Sequence, residues 1–311
     1  MLKIAIRSGI IVTLFVALIQ TTIVRGDEIY FIDAHSQVDQ NVAPLEKVLS
    51  IMKQGAVRHT ILSARGKQKS KALLSFASRY PEQITPAIRT KGRAYETGST
   101  KYYENLKRQV ESGRFSAMAE ILLYHARKGD KAPEYVVYPE DKRVRTALEF
   151  AVGNQWPFVV HIEFGSLYAK KRKQFIGQLE RMLDQYPGHP VVLTHLGQLK
   201  PGECLRLIEN HNNLHFHTAW TNPAALRNSN QPWVDIFKEN RIAPEWRDLF
   251  IKYPERFVFA LDNVFAEHWT TGFYVKQMTY WKKALAELPI PVAHLIAHGN
   301  AERLWHIALK H

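Results

Sequence analysis

Five residues of this chain belong to the types that hold divalent metals or move protons, and each sits at or near the end of a short apolar run. They are His35 in "IYFIDAH", Glu120 in "FSAMAEILL", His161 in "PFVVHIE", His195 in "PVVLTHLG" and Asp262 in "RFVFALD". Imidazole nitrogens and carboxylate oxygens are the donors that Zn²⁺ and similar ions prefer. An ion in such a setting lowers the pKa of water toward neutrality, and a carboxylate beside it can take the proton and return it to a leaving group. Singly, each residue has a plainer reading: a histidine closing a buried strand is commonly a hydrogen-bonded core residue, and a strand-end aspartate commonly caps the next helix. Their recurrence in one position of successive runs is what makes them a set.

The runs that carry them are eight: "IYFIDAH", "VRHTILSAR", "QITPAIR", "FSAMAEILL", "PFVVHIE", "PVVLTHLG", "LHFHTAW" and "RFVFALD". Several are apolar on both faces, as strands of a parallel sheet covered by helices must be. Between them lie helix-like segments such as "APLEKVLSIMKQG", "SKALLSFASRYPE", "DKRVRTALEFAVGNQ" and "KKRKQFIGQLERMLDQYPG". This alternation predicts an α/β fold, a single (β/α)8 TIM-like barrel over residues 27–311. No Gly-x-Gly-x-x-Gly turn and no Walker-type loop supports an open-sheet nucleotide binder instead. The longest polar connections, "TKGRAYETG", "YHARKGDKAPEYVVYPED" and "TNPAALRNSNQPWVD", follow strands, where barrel loops surround the mouth. In a barrel the strand ends converge, so residues spread over more than 220 positions can share one ion.

The order of "DAH" at 33–35, "AEI" at 119–121, "VVHIE" at 159–163, "LTHLG" at 193–197 and "ALD" at 260–262 resembles the amidohydrolase superfamily of metal-dependent barrel enzymes. "HGNAERLW" at 298–305 is similar to the closing segment of its amidohydrolase-related branch. The resemblance covers nearly all of the chain beyond residue 26. It implies that His35 ligates a divalent metal, Zn²⁺ before Mn²⁺ or another ion, and that Glu120 supplies a bridging or supporting carboxylate. It makes His161 and His195 ligands or transition-state partners. Asp262 would bind the metal and accept the proton of the attacking water.

Gln37 departs from that pattern, standing where the first-strand motif has a second histidine. A neutral amide oxygen is a weaker donor to Zn²⁺ than imidazole nitrogen. Three outcomes stay open: one metal on Glu120, His161 and His195, with His35 and Gln37 placing substrate; a metal held weakly through His35 and Asp262; or a barrel that keeps a pocket without catalysis. Arg89, ending "PAIR", can grip a carboxylate or phosphate from the mouth or form a surface ion pair. Glu163 and His217 are candidates to orient a ligand, and His125 to reach the pocket. Trp220, Trp233, Phe265 and Trp269 can wall a pocket or pack inside. Asn300 and Arg303 read as pins for the last helix, and Cys204, the only cysteine, has no reason to be a nucleophile.

The first 26 residues place Lys3 and Arg7 before an apolar stretch from about Ile10 to Ile19, then end in Val-Arg-Gly. That is the layout of a secretory signal peptide cut near Gly26, with an uncleaved membrane anchor as the alternative, and it predicts an exported protein, periplasmic or secreted, that meets a membrane only in transit. Loss of Lys3, Arg7 and Arg25 would lower the net charge from +13 to +10. A field of that sign favours a small anionic partner; no nucleic-acid motif accompanies it. The expectation is an exported metal-dependent hydrolase acting on a small anionic ester, lactone, amide or phosphoester. The alternatives are a non-catalytic ligand-binding barrel and a metal-dependent decarboxylase.

Overall fold

Every residue of Phe31–Val38 is buried, the two-sided burial that an inner barrel stave requires. In the computed structural model, which describes residues 29–129, 133–227 and 229–309, this run is the first of eight staves. They are β1 (Phe31–Val38), β2 (Val57–Ala64), β3 (Ile84–Ile88), β4 in two pieces (Ala117–Met118 and Ile121–His125), β5 (Phe158–Ile162), β6 (Val191–Leu193), β7 (Leu214–His217) and β8 (Phe257–Val258). Each pairs in parallel with the next along two ladders, β1 to the first piece of β4 and the second piece of β4 to β8. The predicted signal segment, 1–26, lies outside the described residues.

Two seams join the ladders. At β4 the chain changes partner: Ala119 N–H donates to the Ile88 carbonyl at 3.0 Å, and the Thr90 hydroxyl donates to the Glu120 carbonyl at 2.5 Å. At the other seam Ala34 N–H donates to Phe259 O, Asp262 N–H to His35 O and Gln37 N–H to Asn263 O, at 3.0, 2.7 and 2.7 Å. The barrel is therefore closed by the same backbone segments that carry Glu120, His35, Gln37 and Asp262. Closure and site geometry cannot be varied independently here.

Helices cover the outside, their buried residues at helical spacing, as Val48, Ile51, Met52 and Gly55 are in Glu46–Gly55. Gly55 is forced by close packing: a Cβ there would stand 2.7 Å from the Tyr274 ring and 2.8 Å from Met278 of the helix Thr271–Leu285. To the helix-like segments read from the sequence the structure adds Pro244–Lys252 and Thr271–Leu285, which the sequence pattern did not single out. Within the loop after β4, Val136 pairs antiparallel with Tyr124, a short flap in a connection read from the sequence only as long and polar. Among the described residues no helix is long and apolar enough to cross a membrane.

The barrel interior is lined by small and branched residues, Ile32, Ala34, Ile61, Ala87, Ala117, Val159, Val192 and Val258, and Leu304 and Trp305 of the final helix complete that cluster. Asn300 pins this helix by donating to the Pro254 and Phe257 carbonyls, both at 2.8 Å, while Arg303 donates to Glu255 O. Those contacts lie at the amino ends of the strands, away from the mouth. Their assignment as structural pins holds.

His215, on β7, is buried beside the same pins, and its Nδ1 meets the Glu255 carbonyl at 3.1 Å. Burial, reinforced by Arg303 and Arg256, lowers its pKa from the ordinary value to about 3. The unfolded chain therefore binds a proton that the folded one refuses. A depressed folded pKa means that stability is present above the unfolded pKa and is lost as pH falls from about 6.5 toward 3. His215→Leu is expected to remove about 2 kcal/mol of the stability lost between pH 7.5 and pH 5. Urea midpoints at the two pH values measure it; an unchanged pH slope would show that His215 is not held neutral.

Candidate metal centre

Residues 35 and 37 share a face of β1 because strand side chains alternate, and that face looks into the barrel mouth. Glu120 sits in the break of β4, and His161 near the end of β5. β6 is shorter than the sequence suggests. It ends at Leu193, and His195 opens a left-handed stretch, with φ of 55° at His195, 51° at Leu196, 62° at Gly197 and 56° at Gln198. A Cβ on Gly197 would lie 2.5 Å from Leu193 Cδ2, so only glycine fits the turn. Trp220 and Asp262, beyond β7 and β8, are left-handed too, at 54° and 48°. Such residues cost about 1–2 kcal/mol each, and their clustering at three neighbouring strand ends marks the place where the fold stores strain.

The side chains converge. His161 Nδ1 meets Glu120 Oε2 at 2.8 Å, and its Nε2 meets Glu163 Oε1 at 3.0 Å. His35 Nε2 faces Glu120 Oε1 at 3.5 Å and Asp262 Oδ1 at 3.4 Å without a hydrogen bond to either. His195 Nε2 lies 3.5 Å from Asp262 Oδ2 while its Nδ1 meets the Ala219 carbonyl at 3.3 Å. Gln37 Nε2 donates to Asp262 Oδ1 at 3.0 Å and to Glu120 Oε1 at 3.4 Å. All five strand-end donors and Gln37 are thus in one buried cluster.

Two lysines, missed by the sequence reading, complete it. The Lys91 ammonium donates to Glu120 Oε1 and, at 3.5 Å, to Gln37 Oε1; Lys128 pairs with Glu163 at 2.8 Å. Both come from polar loops whose composition signals the mouth and nothing more. The cavity above the cluster, about 980 Å³, is lined by Gln37, Glu120, His161, His195 and Asp262. Arg89, His125, Trp220, Trp233 and Phe265 also line it. Trp269 does not: it is buried and donates to the Gln37 carbonyl at 2.9 Å. His217 is buried too, its ring stacked 5.8 Å from His35. Glu163, a candidate to orient a ligand, points inward and meets His161 Nε2 at 3.0 Å. Cys204 is a buried free thiol, its pKa raised well above the ordinary value by burial.

Electrostatics separate the groups. Burial would raise the Glu120 carboxyl, but the Lys91 ammonium and His161 outweigh it and hold it well below the usual range. Burial opposes charge on His161 and His35 as well, yet Glu120 raises both, helped by Glu163 and Asp262 respectively. Burial, and after it His161, depresses His195 well below the ordinary imidazole. Asp262 is raised, first by burial and then by Glu120. Pairs of titratable groups pushed in opposite directions are what acid and base roles require.

The donor set fits a divalent ion. Glu120, His161 and His195 each offer a ligand atom within 4.8 Å of the others, and so do His35, Glu120 and Asp262. A neutral His195 that donates Nδ1–H to Ala219 keeps a lone pair on Nε2, and Glu163 fixes the outer nitrogen of His161 in the way that carboxylates commonly orient ligand imidazoles.

A family model described as "Amidohydrolase" matches residues 100–307. No curated protein matches the chain. Among solved structures, a provisional 2-pyrone-4,6-dicarboxylic acid hydrolase from Pseudomonas putida is 14% identical with a TM-score of 0.58, over 91% of this chain and 100% of that one. An amidohydrolase from Burkholderia multivorans with bound hepes is 12% identical with a TM-score of 0.54, over 90% and 100%. A 5-carboxyvanillate decarboxylase from Novosphingobium aromaticivorans with bound manganese is 10% identical with a TM-score of 0.51, over 89% and 97%. At such identities the likeness is one of fold, and that fold is the (β/α)8 barrel.

Proposed function

The chain belongs to the amidohydrolase family, and from that premise we propose that it is a metal-dependent hydrolase of small anionic esters or lactones, with one divalent ion held by Glu120, His161 and His195. The observation that carries this reading is the convergence of Glu120, His161 and His195, whose ligand atoms lie within 4.8 Å of one another, with His195 Nδ1 against the Ala219 carbonyl so that its Nε2 is left to the cluster. A bound ion supplies Lewis acidity, which makes water a nucleophile near neutral pH and polarises a carbonyl. Asp262, buried and less acidic than an ordinary aspartate, takes the proton and returns it to the leaving group. His35 and Gln37 hold Asp262 in place from β1.

The substrate class follows from the cavity walls. Arg65 and Arg89 both line it, and among the described residues the guanidinium of each donates only to backbone carbonyls: Arg65 to Val264, Arg89 to Gly66 and Lys91. Among the described residues neither pairs with a carboxylate. Burial, then Arg65, lowers the Arg89 pKa, so two guanidinium groups share one wall. A ligand carboxylate or phosphate relieves that repulsion and fits the planar fork. Trp220, Trp233 and Phe265 offer the apolar remainder.

The test is turnover of carboxylate-bearing chromogenic esters and lactones against neutral analogues, with chelation and Zn²⁺ or Mn²⁺ restoration. The hydrolase reading expects activity that chelation abolishes and metal restores, with a preference for the anionic members. Tight binding of the acids without turnover, surviving chelation, would instead establish a non-catalytic binding barrel. Carbon dioxide release without a hydrolysis product would establish a decarboxylase. Export is a part of the proposal carried by the sequence of residues 1–26, and a mature amino terminus at Asp27 in the exported fraction would support it.

A further inference from the structure

Two members of the cluster, Lys91 and Lys128, come from no strand end, and Lys91 reaches its centre. Lys91 reaches in from the turn after β3, and its ammonium lies on Glu120 Oε1 and Gln37 Oε1. The Gln37 amide is turned so that its oxygen faces the ammonium while its nitrogen donates to Asp262 and Glu120. Around the same place stand His35, Glu120 and Asp262, whose ligand atoms lie within 4.8 Å of one another. That triangle has the donor types of a second metal seat. Its positive charge, however, is already supplied by the chain.

We propose that the Lys91 ammonium occupies this first-strand seat as a tethered cation, so that the centre holds a single divalent ion where its donors would otherwise take two. The inference rests on the metal reading above. Glutamine at position 37 suits it: an amide offers an oxygen to the ammonium and N–H groups to the carboxylates at once. The anchor of Lys91 is fixed. Arg89 N–H donates to Gln109 Oε1 at 3.1 Å, Gln109 Nε2 donates back to Arg89 O at 3.2 Å, and Arg89 Nε donates to the Lys91 carbonyl at 3.3 Å. Two buried carboxylates on facing seams, Glu120 and Asp262, need a counter-charge between them. A lysine on a braced turn provides it without a free ion.

Metal stoichiometry after loading with Zn²⁺ or Mn²⁺ and removal of excess tests this in four proteins: the unaltered chain, Gln37→His, Lys91→Met, and Gln37→His with Lys91→Met. About one equivalent is expected in the first two, one tight and one weaker in the third, and about two in the double variant. A second ion in Gln37→His alone, or a double variant that stays at one, overturns the proposal. If the unaltered chain takes two, Lys91 does not fill the seat, while the metal-dependent reading stands. If the unaltered chain takes none and the double variant takes one, Lys91 is the blocking cation and it is the hydrolase reading that falls. If none of the four binds an ion, both fall. Should Lys91→Met fail to fold by circular dichroism, Lys91→Arg with Gln37→His keeps the charge and is expected to remain at one. Acetic anhydride gives an independent readout in the unaltered protein: Lys91 stays slow to label relative to the exposed Lys67 after metal loading. Fast labelling on loading would mean that the ion displaces the ammonium, and would sink the idea.

Discussion

Asp262→Asn is expected to lower kcat by about 10²–10⁴-fold on any ester or lactone the protein hydrolyses, with a far smaller change in KM. Asparagine is the informative replacement because it keeps the shape and, like aspartate, tolerates the left-handed backbone at this position, where φ is 48°. The Asp262 N–H bond to the His35 carbonyl, which helps close the barrel, does not involve the side chain and survives. What is lost is the proton acceptor. Burial and the nearby Glu120 raise the Asp262 carboxyl, bringing it closer to the operating pH of a general base than an ordinary aspartate is. The amide cannot take that proton. Steady-state kinetics at saturating metal decide it, with metal content measured in parallel: a fall in kcat at unchanged stoichiometry assigns a proton-transfer role, whereas a fall that tracks metal loss makes Asp262 a ligand. Undiminished kcat would place the base elsewhere.

How far this site could be read in advance depends on where each residue's position is decided. His35 and His161 were visible because a strand fixes the direction of its side chains, and Glu120 and Asp262 because a two-faced apolar run carries each, although Glu120 stands in the break of β4 and Asp262 beyond the end of β8. The eight staves were visible for the same reason. His195 was found, but its setting was not: the left-handed turn at 195–198 depends on Gly197 lying against Leu193, a contact absent from any local pattern. Lys91 and Lys128 were missed because a long cationic side chain in a polar loop normally points to water. Only the backbone braces on Arg89 and the buried Glu120 and Glu163 turn these two inward. The helix Thr271–Leu285 escaped notice because it buries Tyr274, Gln277 and Trp281 alongside Met278, so its stripe is neither purely apolar nor narrow. Arg89 was read as a gripping residue or a surface ion pair. It lines the cavity and has no acidic partner among the described residues, which favours the first reading and leaves its ligand to experiment.

Glu120→Ala should be the most damaging single change to stability. Glu120 is the one residue shared by the Glu120–His161–His195 and His35–Glu120–Asp262 groups of potential metal ligands, and in the folded protein it is also the partner of Lys91 and of His161. Removing it leaves Lys91 without a carboxylate partner, against the Gln37 oxygen alone, and leaves His161 with Glu163 only. Breaking a buried pair by deleting one partner costs about 3–5 kcal/mol, because the remaining charge keeps its desolvation penalty. Lys91 is 27% exposed along its side chain and recovers part of its hydration, whereas His161, at 4%, does not. The loss therefore falls toward the lower end, carried mainly by the imidazole. Glu120→Gln, which keeps the volume and one acceptor, is expected to lose less stability and nearly as much metal affinity. Adding Lys91→Met to Glu120→Gln should restore part of the stability without restoring metal, since the stranded ammonium is then gone. Urea unfolding of the metal-free proteins gives the coupling directly. An additive pair would mean that Lys91 and Glu120 do not meet in solution, and the tethered cation would have to be abandoned along with the role of Glu120 as the hinge between the two halves of the centre.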